Sequence, residues 1–450
     1  MPKKIYILII ICVFLPVSLS PLTLHAEGPE LLPLNLNLED SVCTAFSNNK
    51  AIQIQEQEIK YAKAGILYAE SKFLPVLGAS FDYSLNDAVP TFPGSPNGRK
   101  DLGIFSGYKN DNLFSLTLNE TVYNGGANIA ALRQSKLELK AQEETLRAAK
   151  LDIEFETKRL FFGILLAYET KRIAEDLVSQ AKAHYDEVKK KFDQGTASRF
   201  DVLQSKVQVS RLMPQLVRAD NDVRLITAEF KKLLSLDLAE EVKIDGKLDY
   251  SLIEIKENEF LAEAYRGNPE MTLRSLGIDI AKWEIEYARA GWLPQVTANG
   301  GYTYRSNQID DMFNPRHNDW TVGVQASIAI FDGFSTKAKV DEARARYNQS
   351  KLQKEDLVER IAVDVKDACY NMDEAKTIID SQKDSIVEAK EALRLSEVRY
   401  RSGVGINLDV LDAEVALAEV EQNLAQGIYD YIMARAQLDK VMGRENIKES

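Results

Sequence analysis

From Leu77 onward, Leu77, Ala79, Phe81, Tyr83 and Leu85 alternate with Gly78, Ser80, Asp82 and Ser84. The same period of two recurs where Phe114, Leu116, Leu118 and Val122 alternate with Ser115, Thr117, Asn119 and Thr121. It returns where Val322, Val324, Ala326, Ile328 and Ile330 alternate with Thr321, Gly323, Gln325 and Ser327. Alternation predicts strands with one apolar and one polar face, which we place at about 76–89, 112–123, 295–306 and 319–331. Strands of about ten residues are long for a soluble edge and suit a tilted crossing of a bilayer. A soluble hairpin packed on one side is the competing reading. Two features weigh against it: the neighbouring helices are too polar to cover four such faces, and Ser, Thr, Gly, Asn and Gln line a lumen better than a core.

Between the strands the period changes to seven. Leu132, Leu139, Leu146, Ile153, Leu160, Ala167, Ala174, Ala181 and Val188 form one series, and Val358, Val365, Met372, Ile379, Ile386, Leu393 and Tyr400 a second. Returning series run Val202, Val209, Leu216, Val223, Phe230 and Val410, Leu417, Leu424, Tyr431, Leu438. A sustained seven-residue repeat predicts very long helices that supercoil left-handedly around neighbours. Gln194-Gly195 and Ser402-Gly403 are their first breaks, and Pro214 predicts a local kink. A shorter helix from about Leu38 to Phe73 ends before Pro75, because proline disfavours helix in the residue preceding it.

The chain is written twice. "NNKAIQIQEQEIKYAKAGILYAESKFLPVLGASFDY" registers with "GNPEMTLRSLGIDIAKWEIEYARAGWLPQVTANGGY" at a shift of 219, so Asn49 falls on Asn268 and Leu74-Pro75 on Leu293-Pro294. Further on the shift is 208: Gly125 falls on Gly333, Gly195 on Gly403, and Asp201-Val202-Leu203 on Asp409-Val410-Leu411. The difference sits in one Pro/Gly-rich tract, "NDAVPTFPGSPNGRKDLGIFSGYKN", as a surface loop tolerates. We therefore divide the chain into a leader (1–26), a first repeat (27–235), an inter-repeat linker (236–258), a second repeat (259–443) and a tail (444–450). Each repeat reads helix, β-hairpin, long helical hairpin.

The leader changes the compartment. Lys3 and Lys4 precede an apolar run from Ile5 to about Leu19, and Ala26 is a plausible last residue before cleavage, the pattern of a secretory signal peptide. No later stretch is long and apolar enough for a membrane-spanning helix. Removing the two leader lysines leaves 54 basic against 68 acidic residues, a net charge of −14, which argues against nucleic acid as a partner. Cys43 and Cys369 lie far apart with no metal-like spacing, and no disulfide framework is indicated. His184 and His317 are likewise distant. No zinc spacing, phosphate loop or nucleophile elbow occurs, so we expect no catalytic residues, no metal, no cofactor and no enzyme.

Four strands cannot close a barrel, the smallest membrane barrels using about eight, and unpaired edges in lipid cost several kcal/mol per backbone group. Several chains must pool their strands; three would supply twelve. At this point the chain resembles the TolC family of outer-membrane efflux proteins along essentially its whole mature length. The shared features are the tandem repeats, the "FLP" and "WLP" helix stops, the "YNGG" and "FDGF" strand-to-helix turns and the two "DVL" helix tips. The resemblance implies a mainly α fold with membrane β: a homotrimer with one shared 12-stranded β-barrel in outer-membrane lipid and a trimeric α-helical barrel reaching into the periplasm. It implies docking of the helix tips on a periplasmic adaptor protein and an inner-membrane transporter, as the exit duct of a tripartite efflux pump or type I secretion system.

The family's periplasmic gate is an aspartate pair in the motif that reads "DVLDA" here, which assigns Asp409 and Asp412. In a trimer six aspartates would ring one axis, a constriction that repels anions and attracts cations. Without the family, the pair reads as a solvated pair favoured by a helix N-terminus. In the first repeat Asp201 matches, while Gln204 replaces the second acid. Tyr400 matches a family tyrosine that helps hold the closed state. A family arginine, two residues after the tip glycine of the second repeat, is replaced by Gly405; Arg199 in the first repeat is a candidate substitute but is displaced in sequence, which leaves open how the gate is latched. The adaptor-docking tips are Gly195, Thr196, Ala197, Ser198 and Gly403, Val404, Gly405, Ile406; as bare sequence they are interhelical turns. A soluble periplasmic coiled-coil scaffold without channel activity is the alternative.

Overall fold

The computed structural model describes residues 34–87, 110–311, 313–315 and 318–445. The leader at 1–26, strand positions 88–89, most of the Pro/Gly-rich tract, His317 and the tail beyond 445 lie outside the described residues. A short strand β1 (Leu34–Leu36) leads into α1 (Leu38–Asn48) and α2 (Lys50–Ser71), then the hairpin β2 (Val76–Leu85) and β3 (Asn110–Asn124). A long helical hairpin follows, α3 (Ala127–Asp193) and α4 (Arg199–Leu233). After β4 (Val242–Ile244) the order repeats as α5 (Glu257–Gly267), α6 (Pro269–Arg289), β5 (Gln295–Ser306), β6 (Asn318–Ser327), α7 (Ser335–Arg401) and α8 (Asn407–Met442). Strands β1 and β4 pair in parallel, tying the start of the first repeat to the inter-repeat segment.

The first helix differs from the single rod expected over Leu38–Phe73. Asn49 turns extended, with ψ 126°, and its side chain takes over. Its Oδ1 accepts from Ala51 N at 2.8 Å to cap α2, while its Nδ2 donates to the Leu233 carbonyl at 2.8 Å. Asn268 repeats both bonds, to Glu270 N and the Val441 carbonyl. An N-cap asparagine satisfies one orphan donor of the new helix. Here the same residue also ties the break to the far end of its repeat. At Pro214 α4 runs on unbroken.

The four long strands form one antiparallel sheet in the order β2-β3-β5-β6. The register puts Leu77, Leu118, Gly300 and Val322 in one cross-strand row, and Ala79, Leu116, Tyr302 and Trp320 in the next. The opposite face carries Gly78, Thr117, Gly301 and Thr321, then Ser80, Ser115, Thr303 and Asp319. Side chains alternate across a pleated sheet, so this register makes one face apolar and the other polar over its whole width. The apolar face is bare: Val322 is 78% and Leu77 66% exposed. Strand β6 stops at Ser327, short of 331, and Ile330 beyond it is 97% exposed.

Helices α3 and α7 are each 67 residues long, about 100 Å at 1.5 Å per residue. Their heptad positions make the core. Val365, Met372 and Ile379 of α7 are fully buried against Tyr431 and Leu438 of α8, and Leu160 and Ile164 of α3 against Phe230 of α4. Near the strands the helices lie side by side as α2-α3-α6-α7, and beyond the middle as α4-α3-α8-α7. The chain is thus a ribbon four elements wide. One flank is β2, α2 and α4; the other is β6 and α7. Both flanks leave apolar residues exposed at coiled-coil spacing: Ile54, Tyr61 and Tyr68 on α2, Phe200 and Val207 on α4, Val363 and Tyr370 on α7.

Candidate functional site

The two helical hairpins turn by the same device. Gly195, at φ 76°, follows α3, with its N–H on the Phe192 carbonyl and the Thr196 N–H on the Lys191 carbonyl, both at 2.8 Å. Gly403, at φ 79°, follows α7, with Gly403 N–H on Tyr400 and Val404 N–H on Arg399. This is a Schellman ending, and it needs a left-handed residue after the helix. A Cβ on Gly405 would come within 3.0 Å of Arg399 Cβ and Tyr400 N. Close packing against the end of α7 therefore disfavours a larger side chain at Gly405. Arg199 is exposed and makes no ion pair among the described residues. Val404 and Ile406 stand exposed at the second tip, with Phe200 beside the first.

The matched aspartates have different surroundings. Asp201 closes a capping box at the start of α4: its Oδ2 accepts from the Ser198 hydroxyl at 2.7 Å and the Ser198 N–H at 3.1 Å, while Ser198 Oγ accepts from Asp201 N. That satisfies two orphan donors and commits both Asp201 and the tip residue Ser198. Asp409 occupies the same place in α8, but its N-cap is Ile406, which has no side-chain oxygen to offer. Asp409 is half-buried and Asp412 exposed. Asp412 lines an 820 Å³ groove with Glu419 of α8 and Gln204, Arg211 and Arg218 of α4, floored by Leu177 of α3.

Tyr400 is buried at the junction of the two hairpins. Lys191 of α3 donates to its carbonyl at 2.7 Å and holds its ammonium 4.0 Å above the ring. The His184 ring packs 5.1 Å away on another side. Burial, with Asp201 and Glu187 nearby, raises the phenol's pKa, and the hydroxyl has no hydrogen-bond partner. Arg401 adds a second α7–α3 link, its Nε 3.5 Å from Glu187.

Sequence reasoning passed over a buried polar cluster between the tips. Asn407, the first residue of α8, is 3% exposed. Its Oδ1 lies 2.7 Å from His184 Nε2 and accepts from Ser205 Oγ at 3.1 Å, while its Nδ2 donates to Gln204 Oε1 at 3.1 Å. One asparagine thus joins α8 to both α3 and α4. Burial lowers the pKa of His184, which favours the neutral imidazole in this cluster. One heptad further, Glu414 is also 3% exposed; burial, with Glu397 nearby, pushes its pKa up to about 7. Another heptad on, Glu421 sits between Lys390 and Arg172. The signal was present as polar residues at 407, 414 and 421, running beside the apolar series at 410, 417 and 424.

The arrangement holds no nucleophile–base pair, and no group of three or more metal-ligating side chains occurs among the described residues. It offers instead two helix ends that meet through a few breakable polar contacts, below a sheet whose β2 and β6 edges are unpaired among the described residues. Relatives share this architecture. Outer membrane protein TolC of Escherichia coli (strain K12) is 24% identical over 399 residues, covering 84% of this chain and 76% of that protein. The match to TolC of Vibrio cholerae, also 24% identical, covers 63% of this chain and 66% of that protein, just under two thirds of its length. Among solved structures, the Campylobacter jejuni CmeC outer membrane channel superposes with a TM-score of 0.80 at 18% identity, over 90% of this chain and 85% of that one. The model of the family described as "Outer membrane efflux protein" matches residues 43–235 and 261–444, one span in each repeat. With both repeats matched nearly end to end, the chain belongs to the outer membrane efflux protein family.

Proposed function

We propose that the chain is one third of an outer-membrane exit duct, a homotrimer that passively conducts cargo from a periplasmic tunnel to the exterior and is gated at its helix tips. The observation that carries this reading is the bare apolar face of the four-stranded sheet, together with its two unpaired edges. Apolar rows such as Ala79, Leu116, Tyr302 and Trp320 suit lipid, and the Ser, Thr, Gly and Asn rows behind them suit water. Backbone groups at the β2 and β6 edges need partners in a bilayer. A copy of the same chain offers the complementary edge, and with it an apolar α7 flank to meet α2 and α4. Such head-to-tail contacts close when the rotation closes. Three copies give a cylinder of twelve strands above twelve helices.

On this reading the duct has no enzymatic role. Its tips, Gly195–Ser198 and Gly403–Ile406, meet a periplasmic adaptor, through which an inner-membrane transporter supplies cargo. Exposed Val404, Ile406 and Phe200 support an apolar docking face there. Relatives are named for different cargo: CusC of E. coli as a cation efflux system protein, AprF of Pseudomonas aeruginosa as an alkaline protease secretion protein. The gate on this reading is Asp409 and Asp412 of α8, with Tyr400 holding α7 against α3 and Asp201 steadying the start of α4.

Membrane fractionation after expression with the leader tests the reading. The protein is expected in the outer-membrane pellet, extracted by detergent and not by high salt or carbonate. Full recovery in the soluble periplasmic fraction would leave a coiled-coil scaffold as the function.

A further inference from the structure

Glu414 faces inward in the middle of the bundle near the tips, where α8 meets α7 and α3. Its carboxylate oxygen Oε2 is buried and has no hydrogen-bond partner. Levels one heptad to either side are satisfied. Towards the tip Asn407 is bonded to His184, Ser205 and Gln204; away from it Glu421 has Lys390 and Arg172. Among the described residues no hydrogen-bond partner reaches Glu414 Oε2.

The charged groups around it are committed elsewhere. On α7, Arg394 pairs with Glu391 at 2.7 Å, Arg401 with Glu397 at 3.2 Å, and Lys390 with Glu421 at 3.5 Å. On α3, Lys191 is held on the Tyr400 carbonyl, Glu187 takes Arg401, and His184 is bonded to Asn407. On α4, Arg211 and Arg218 face the Asp412 groove on the opposite side of α8. The charge that acts on Glu414 is the like charge of Glu397, which adds to the effect of burial. A buried carboxylate without a counter-charge is costly, whereas the neutral acid is tolerated.

We propose that Glu414 is a proton-operated clasp of the tip: protonated, it lets the start of α8 seat against α3 and α7; ionised, it unseats the turns that carry Asp409 and Asp412. The proposal rests on the gate reading above for its consequence, but not for its test. The seated tip retains the Glu414 proton to higher pH than an exposed glutamate does. Seating therefore weakens as pH rises from the ordinary glutamate range, and levels off above neutrality. His184 works oppositely, since its protonation on acidification disfavours the seated form. A comparison at fixed pH between wild type and a Glu414 variant cancels that contribution.

The test is amide hydrogen exchange of residues 407–417 in the full-length, detergent-solubilised protein, corrected for intrinsic rates, for wild type and Glu414→Gln. At about pH 8 these amides should exchange about tenfold faster in wild type than in Glu414→Gln, and at about pH 5 the two should agree. Glu414→Met, equally uncharged, should reproduce the Gln profile and serves where the amide disturbs packing. A wild-type-to-variant ratio that is the same at both pH values for both variants would overturn the proposal. Conductance does not enter this readout: an unseating tip on a protein that never conducts strikes the exit-duct reading alone.

Discussion

Alanine at both Asp409 and Asp412 will raise single-channel conductance in planar bilayers and weaken block by a trivalent cation about 100-fold. A unit charge about 4 Å from a carboxylate gains about 1 kcal/mol even at the dielectric of water, so a trivalent ion touching one aspartate gains about 3 kcal/mol. In the proposed trimer the pair would occur three times, and truncation to methyl groups would also widen the proposed constriction. The two residues should not contribute alike. Asp412 is exposed and shares its groove with Arg211 and Arg218, whereas Asp409 is half-buried at the start of α8. Asp412→Ala alone is therefore expected to give the larger share. Block and conductance unchanged in the double variant would return the pair to ordinary solvated helix-start residues.

The second large effect is structural. Gly443→Ala should cost about 3 kcal/mol or more and lower the temperature at which the solubilised protein loses its helical signal. Left-handed backbone costs an alanine about 1–2 kcal/mol, and Gly443 sits at φ 70°. A Cβ there would lie 2.1 Å from the Gly267 carbonyl oxygen, and a Cβ on Gly267 would lie 2.2 Å from the Met442 carbonyl oxygen. Neither neighbour is a side chain that can swing away. Two backbones touch where the end of α8 docks on the α5–α6 junction, beside the Asn268 bond to Val441. The first repeat supplies the control. Ser235, 208 residues earlier, holds the same left-handed place at φ 54° but is exposed. Ser235→Gly should therefore stabilise by about 1 kcal/mol. If Gly443→Ala and Ser235→Ala melt together, the close approach is not what fixes the glycine.

What the sequence made legible were its periodic parts. Period two fixed which face of each strand is apolar, and the pairing of Leu77 with Leu118 and of Ala79 with Leu116 follows that pattern. Period seven gave the buried series of α7 and α8, because one seam facing one neighbour leaves a regular trace. Breaks without punctuation residues left none. Asn49 ends a helix by turning its side chain to Ala51 and Leu233, and its 184-residue separation from Leu233 hides the second partner. His184 and Asn407 are 223 residues apart for the same reason, so a histidine that looked isolated joins the tip cluster. Pro214 lies inside α4 and the helix continues on either side of it: proline removes one intrahelical hydrogen bond and need not end the helix. Apolar alternation outlasts β6 because its pairing with β5 ends at Gln295–Ser327, and Ile328 and Ile330 beyond it are exposed.

That unpaired continuation leads to the central claim, that four strands per chain are completed by identical chains. The mass of the purified mature protein in detergent, measured by native mass spectrometry after the micelle is stripped, tests it most directly. Three chains per particle, with no stable single-chain species in detergent-free buffer, is the expected result. A monodisperse single chain that stays soluble without detergent would contradict the shared barrel, and with it the ring of aspartates beneath.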